Sequence, residues 1–292
     1  MNLIEASFKS AGLIICLLFI IFQGEFLVLQ YAVFAMILFS IGIPHGAIDH
    51  LISNPIIDKK GFVRFLITYI TLIASYIAVW YFFPLLALAA FLLMSAYHFG
   101  QTHFIQSSPF GRLSGLVFLS RGGFFLATIL LGDLPATQSI LSSLIELDIP
   151  NQMKFWIPVL FLASTILIQF FWGPKFSFSD WLELLILGPI LFFSPLLVSF
   201  VVYFGFWHAF PSMMKEYDYL KNFKPYSSPK KFIFQLIPFS AISLAGIAII
   251  LFFGLNFLQS DELILLFFVM ISVISFPHIL YMDQFLRKKT QY

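Results

Sequence analysis

Residues 28–51 read VLQYAVFAMILFSIGIPHGAIDHL. From Val28 to Ile43 the stretch is apolar apart from Gln30 and Ser40, and its length suits a helix crossing a bilayer core, which takes about 20 residues. Its end carries Pro44, His45, Gly46, Asp49 and His50. Ionisable side chains at membrane depth are expensive, and where they occur they mark a function or a partner.

The chain around this stretch has the same character. It has 292 residues, of which 60% are hydrophobic and only 10% are charged. A soluble domain has about 25% charged residues. The apolar runs are continuous rather than alternating, which excludes a transmembrane barrel. The sequence therefore predicts an all-α fold: a polytopic transmembrane helical bundle of eight to ten spans, forming a single integral membrane domain over 1–292. Ten candidate spans fall at 10–24, 28–51, 62–81, 84–105, 113–131, 155–172, 181–194, 196–213, 232–254 and 262–284. Breaks at Phe83-Pro84 and Ser194-Pro195 divide two stretches too long for one helix each. With the N-terminus inside, the inner segments collect Lys9, Lys59, Lys60, Arg64, Arg112, Lys175, the basic loop 215–231 and Arg287 to Lys289. Acids such as Glu25, Asp133, Asp148 and Asp261 fall outside. Lys154 falls outside and Arg121 within a span, so the positive-inside rule is obeyed almost without exception, and both termini are expected in the cytoplasm and the protein in the cell (inner or plasma) membrane. The lone Cys16 excludes a disulfide framework and any cysteine-based zinc or iron–sulfur site. The 40 phenylalanines are most simply lipid-facing bulk, and they also offer material for an apolar cavity.

All six histidines sit near the ends of apolar runs. His45, His98, His208 and His278 come late in spans 2, 4, 8 and 10, and these four spans run in the same direction. The topology thus puts the four rings at one depth in the inner half of the membrane. Neutral imidazole is a common ligand for iron, zinc, copper and nickel, so the set is a candidate metal site. His50 and His103 each follow a core histidine by five residues, about 500° around a helix at 3.6 residues per turn. On a regular helix such partners cannot face the same metal, so one of each pair is a ligand and the other supports it, lies at the rim or is structural. Asp49 and Asp283 are candidate outer carboxylates that orient an imidazole through its second nitrogen.

PHGAIDH at 44–50, AYHFG at 96–100, FGFWH at 204–208 and FPHILYMD at 276–283 resemble the motifs of the Brp/Blh family, the bacterial and archaeal membrane β-carotene 15,15′-dioxygenases. The resemblance runs from span 2 to the end of the chain. It implies an Fe(II) enzyme that cleaves the central double bond of β-carotene with O2 into two retinal molecules, which supply a microbial rhodopsin. By motif, His45, His98 and His208 match family iron-ligand positions. The family often has a further histidine four residues after the last of these, and here that position is Ser212. His278 is then the first choice for a fourth ligand. His103 is the second, with a supporting role as its alternative. The same resemblance implies a tunnel for the C40 polyene, and the aromatic residues near the histidines suit it: Tyr97, Phe99, Tyr203, Phe206, Trp207, Phe276 and Tyr281.

Two other classes share some of these features. A histidine-lined metal-ion transporter would want carboxylates along its path, and the spans are nearly free of them. A non-catalytic carotenoid- or rhodopsin-binding membrane protein needs no metal set. An opsin is disfavoured, because no lysine lies mid-span in a late helix to form a Schiff base. Nucleic-acid binding and hydrolase chemistry have no motif to support them. The basic loop 215–231 reads as a topology determinant facing anionic lipid.

Overall fold

Asp58 and Pro84 bracket a helix of two dozen residues, and their chemistry shows why it starts and stops there. The Asp58 carboxylate accepts from the backbone N–H of Gly61 at 2.9 Å and caps the first turn. Pro84 has no N–H to continue the ladder, and Phe83 leaves the helical region before it. The computed structural model describes residues 3–22, 26–105, 111 and 113–289. Glu25 and Arg112, counted in the charge pattern above, lie outside them.

The described chain is helical, with no strand. The helices are α1 (Leu3–Ile21), α2 (Leu27–Ser53), α3 (Lys59–Phe82), α4 (Pro84–His103), α5 (Ser114–Gly132), α6 (Leu134–Leu141), α7 (Met153–Trp172), α8 (178–193), α9 (Leu196–Leu220), α10 (Pro229–Gly254) and α11 (Ser260–Lys289). Nine of these are long and apolar enough to cross a membrane among the described residues. The chain is thus a polytopic α-helical membrane protein. The break at Ser194-Pro195 falls between α8 and α9, but α8, expected as a tenth span at 181–194, is too short to count with the nine. In the other direction α9 runs on to Leu220, seven residues past the expected end at 213.

Two compact units make up the chain. The first comprises Met1–Gly42, Ser95–Ser139 and Glu146–Ser212; the second comprises Ile43–Met94, Ile140–Ile145 and Met213–Tyr292. Within the first unit, α4 and α5 pack backbone to backbone. A Cβ at Gly100 would run into the Phe118 carbonyl, and one at Gly122 into the Ala96 carbonyl. Small residues permit this approach, which supplies the packing that hydrophobicity cannot drive inside lipid. It fixes the segment that carries His98. Arg121 on α5 is fully buried and pairs with acids on α8: Asp180 Oδ1 at 3.0 Å and Glu183 Oε2 at 3.2 Å. The second unit has its own core, where Tyr76 stacks on Phe276 at 4.8 Å and donates its hydroxyl to the Ala87 carbonyl.

Three segments depart from regular α-geometry into π-helical turns: Leu38–Gly42, Glu183–Leu187 and Tyr203–Ala209. Such turns are uncommon and concentrate at functional sites. Here one lies just before His45, one carries Glu183 and one carries His208. After the first, α2 tightens to a 3₁₀ turn over Gly46–Ile48 before resuming at Asp49.

Candidate metal centre

In the first unit, His98 and His208 are buried and meet edge to face, ring centroids 4.5 Å apart. The Thr102 hydroxyl lies 2.8 Å from His208 Nδ1 and points its own proton toward the His98 carbonyl at 3.5 Å. Nδ1–H of His208 then donates to Thr102, and Nε2 carries the lone pair. His98 Nδ1 faces Gln101 Oε1 at 3.3 Å, which sets the same tautomer. Fixing Nδ1 so that Nε2 is the available donor is how proteins orient imidazole for a metal. Phe99 and Phe204 pack on the His208 ring at 4.8 and 5.5 Å.

In the second unit, His45 and His278 also meet edge to face with centroids 4.5 Å apart. His278 Nδ1 donates to Asp49 Oδ1 at 2.8 Å, and Tyr69 donates its hydroxyl to Asp49 Oδ2 at 3.0 Å. His45 Nδ1 lies 3.2 Å from Glu216 Oε1, and the Glu216 side chain is fully buried. Each imidazole therefore turns its Nδ1 to a carboxylate and its Nε2 to the other imidazole. The two Nε2 atoms are 3.0 Å apart. A proton on one of the two nitrogens, or a metal ion held by both, accommodates that distance. Ligands at right angles on bonds of about 2.1 Å, the usual imidazole–metal length, stand about 3.0 Å apart. The donor set in this unit thus fits a divalent transition metal. His45 of the second unit, and His98 and His208 of the first, are buried histidines of a kind that could bind a metal.

The remaining expected residues take other places. His50 is surrounded by Phe62, Phe65 and Phe239, with centroids at 5.6, 5.9 and 5.0 Å. His103 has both nitrogens engaged, with Nδ1 on Glu183 at 2.7 Å and Nε2 on the Tyr203 hydroxyl at 2.9 Å. Asp283 pairs with Arg287, one turn along α11, at 2.8 Å. Ser212 is buried, and its hydroxyl has no hydrogen-bond partner. Of the aromatic residues, Phe99 packs on His208, while Tyr97 meets Phe118 and Phe206 meets Phe8. Trp207 lies under the Lys9 ammonium at 5.8 Å. In the second unit Phe276 stacks on Tyr76, and Tyr281 packs against Phe65 and Tyr69.

Sequence reasoning missed Glu216, Thr102, Gln101 and Tyr69. Glu216 had the one available signal, an acid within a cluster of lysines just past an apolar span. That position reads as loop until α9 is seen to continue through it.

Comparison with known proteins adds an independent line. A family model described as beta-carotene 15,15′-dioxygenase matches residues 36–285. The beta-carotene 15,15′-dioxygenase of uncultured marine bacterium 66A03 is 26% identical over 266 residues, covering 88% of this chain and 94% of its own length. A probable beta-carotene 15,15′-dioxygenase, Blh, of Halobacterium salinarum is 28% identical over 198 residues, covering 58% of this chain and 56% of its own. No solved structure matches.

Proposed function

The chain belongs to the β-carotene 15,15′-dioxygenase family, and from that premise we propose that it is an iron-dependent enzyme cleaving the central 15,15′ double bond of β-carotene with O2 to give two all-trans-retinal molecules. The observation that carries the metal part of this reading is the 3.0 Å approach of His45 Nε2 to His278 Nε2, each ring with its Nδ1 turned to a carboxylate. The ligands are His45, His98, His208 and His278. All four lie in family-like motifs, and three of them match family ligand positions. His278, on α11, would take the place of the histidine absent at Ser212. His103 is not a ligand, because both of its nitrogens are engaged elsewhere.

Iron, when bound, supplies the activation of dioxygen that an organic side chain cannot. The residues beside the imidazoles orient them: Asp49 accepts from His278 and Glu216 lies 3.2 Å from His45 in the second unit, and Thr102 and Gln101 face His208 and His98 in the first. The two carboxylates balance a divalent charge in a medium where an unbalanced one is costly. Apolar and aromatic side chains such as Phe99 and Phe204 exclude water beside His208 and offer π-faces to a polyene. Both oxygen atoms end in the two aldehydes, so turnover needs neither a general base nor an external reductant.

β-Carotene, a bilayer-soluble hydrocarbon, reaches the protein from membrane lipid, and the retinal released there is available to a microbial rhodopsin. The protein would lie in the cell membrane; both termini would face the cytoplasm, as the basic segments favour, if α8 enters the membrane in addition to the nine long helices. The test is expression in cells that make β-carotene. Retinal should accumulate as β-carotene falls. Unchanged β-carotene with the protein present in the membrane would overturn the reading.

A further inference from the structure

The first unit holds a second buried polar cluster that the proposed reaction does not use. Glu183, His103 and Tyr203 form a continuous line. The phenol of Tyr203 donates to His103 Nε2 at 2.9 Å, and His103 Nδ1–H donates to Glu183 Oε2 at 2.7 Å. The line has one polarity, since a carboxylate only accepts and so fixes His103 with Nε2 as acceptor. Arg121 at 3.2 Å and Lys9 at 3.2 Å hold the Glu183 carboxylate. Phe125 stacks on both His103 and Tyr203, with centroids at 4.8 and 4.9 Å, and keeps the pair aligned.

Two further observations show what the line connects. At one end, a cavity of about 350 Å³ is lined by Glu5, Lys9, His103, Asp180, Glu183 and Trp207, so polar solutes meet the histidine and its carboxylate there. At the other end, Phe99 packs on Tyr203 at 5.5 Å and on His208 at 4.8 Å. The tyrosine thus stands between a polar cavity and a buried aromatic region beside a site histidine.

We propose that Tyr203, His103 and Glu183 form a proton-coupled one-electron relay that quenches strong oxidants formed where polyene and oxygen meet, and that is reset from the cavity by a water-soluble enediol reductant such as ascorbate. In the first step Tyr203 gives one electron to a polyene peroxyl radical, which becomes a peroxide anion. The phenolic O–H breaks, an N–H forms on His103 Nε2, and Tyr203 is left as a neutral radical. In the second step the enediol gives one electron to Tyr203, and the proton returns from His103 to the phenolate oxygen. The proton that the enediol loses enters bulk water, and the peroxide anion takes up a proton from bulk water at the membrane surface. The net change is one electron and one proton from enediol to peroxyl radical, and the chain ends as it began. The peroxyl source rests on the dioxygenase reading, whereas the relay itself does not.

The test uses the full chain in detergent without metal. A flash-generated ruthenium(III) tris-bipyridine oxidant, with persulfate as electron acceptor, oxidises the protein, and electron paramagnetic resonance of samples frozen at short delay reads tyrosyl radical. Wild type should give a tyrosyl signal whose formation slows in D2O and whose decay quickens with added ascorbate. Tyr203→Phe, which keeps the stacked ring, should lose most of that signal. His103→Gln can hydrogen-bond but cannot take up the proton, so it should lower the yield and remove the solvent isotope effect. An undiminished signal in Tyr203→Phe, an unchanged yield and isotope effect in His103→Gln, or decay indifferent to ascorbate would overturn the proposal. Because no metal or carotenoid is present, failure here leaves the retinal assay to judge the dioxygenase reading separately.

Discussion

His278 Nε2 lies 3.0 Å from His45 Nε2, across 233 residues of sequence, and each ring turns its other nitrogen to a buried carboxylate. The contact joins the end of α2 to the middle of α11 and sets two potential metal-donor nitrogens side by side. His278 should therefore matter to metal retention and His103 should not. In detergent-purified protein loaded with Fe(II), elemental analysis should find iron lost from His278→Ala and His45→Ala and kept in His103→Ala. Iron retained in His278→Ala and lost from His103→Ala would reverse the assignment.

The carboxylates make a graded prediction. Asp49→Asn and Glu216→Gln keep the shape of each side chain and remove its charge. Substituting such supporting groups usually weakens metal binding about 10–100-fold. Competition titrations with Co(II) should show losses of that order in both variants, with the protein still folded. Wild-type affinity in both would show that the carboxylates serve packing alone.

Thr102 makes a finer test of the same logic. Thr102→Val keeps the branched shape but cannot accept the proton of His208 Nδ1, whereas Thr102→Ser can. The valine variant should bind Co(II) more weakly and with an altered visible spectrum, and the serine variant should resemble wild type. Equal behaviour of the two variants would remove Thr102 from the site.

Packing of α4 on α5 can be tested without any metal. Gly100→Ala and Gly122→Ala each place a methyl group against a main-chain carbonyl, which has little room to yield. Overpacking of this kind costs about 1–3 kcal/mol. Thermal unfolding in detergent should shift down in both variants, and more than for alanine at Gly246, where the added carbon meets no packing neighbour within 4 Å among the described residues.

Much of the fold could be read from local signals. Apolar run length marked the spans, and Pro84 and Pro195 marked two breaks because proline acts on its own backbone. The ends of α8 and α9 were harder. Residues 178–193 form a short helix, and the lysines around Glu216 suggested a loop where α9 continues to Leu220. His45 and Asp49 stood out as polar groups in an apolar run. Their partners did not, because pairing Glu216 with His45 or His278 with Asp49 is a tertiary fact with no local trace. Thr102 and Gln101 gave no sign either, since a polar residue near a helix end is ordinary. The helical argument that separated His45 from His50 assumed regular turns. The chain in fact changes pitch between them, through Gly46–Ile48, and His50 settles among phenylalanines.

The most direct measurement is product analysis by chromatography after purified, metal-stripped protein is reloaded with Fe(II) or Zn(II) and given β-carotene and O2. The account predicts all-trans-retinal, two molecules per β-carotene consumed, with Fe(II) and none with Zn(II) or without metal. Retinal formed equally without iron, or shorter and longer apocarotenals in its place, would contradict it.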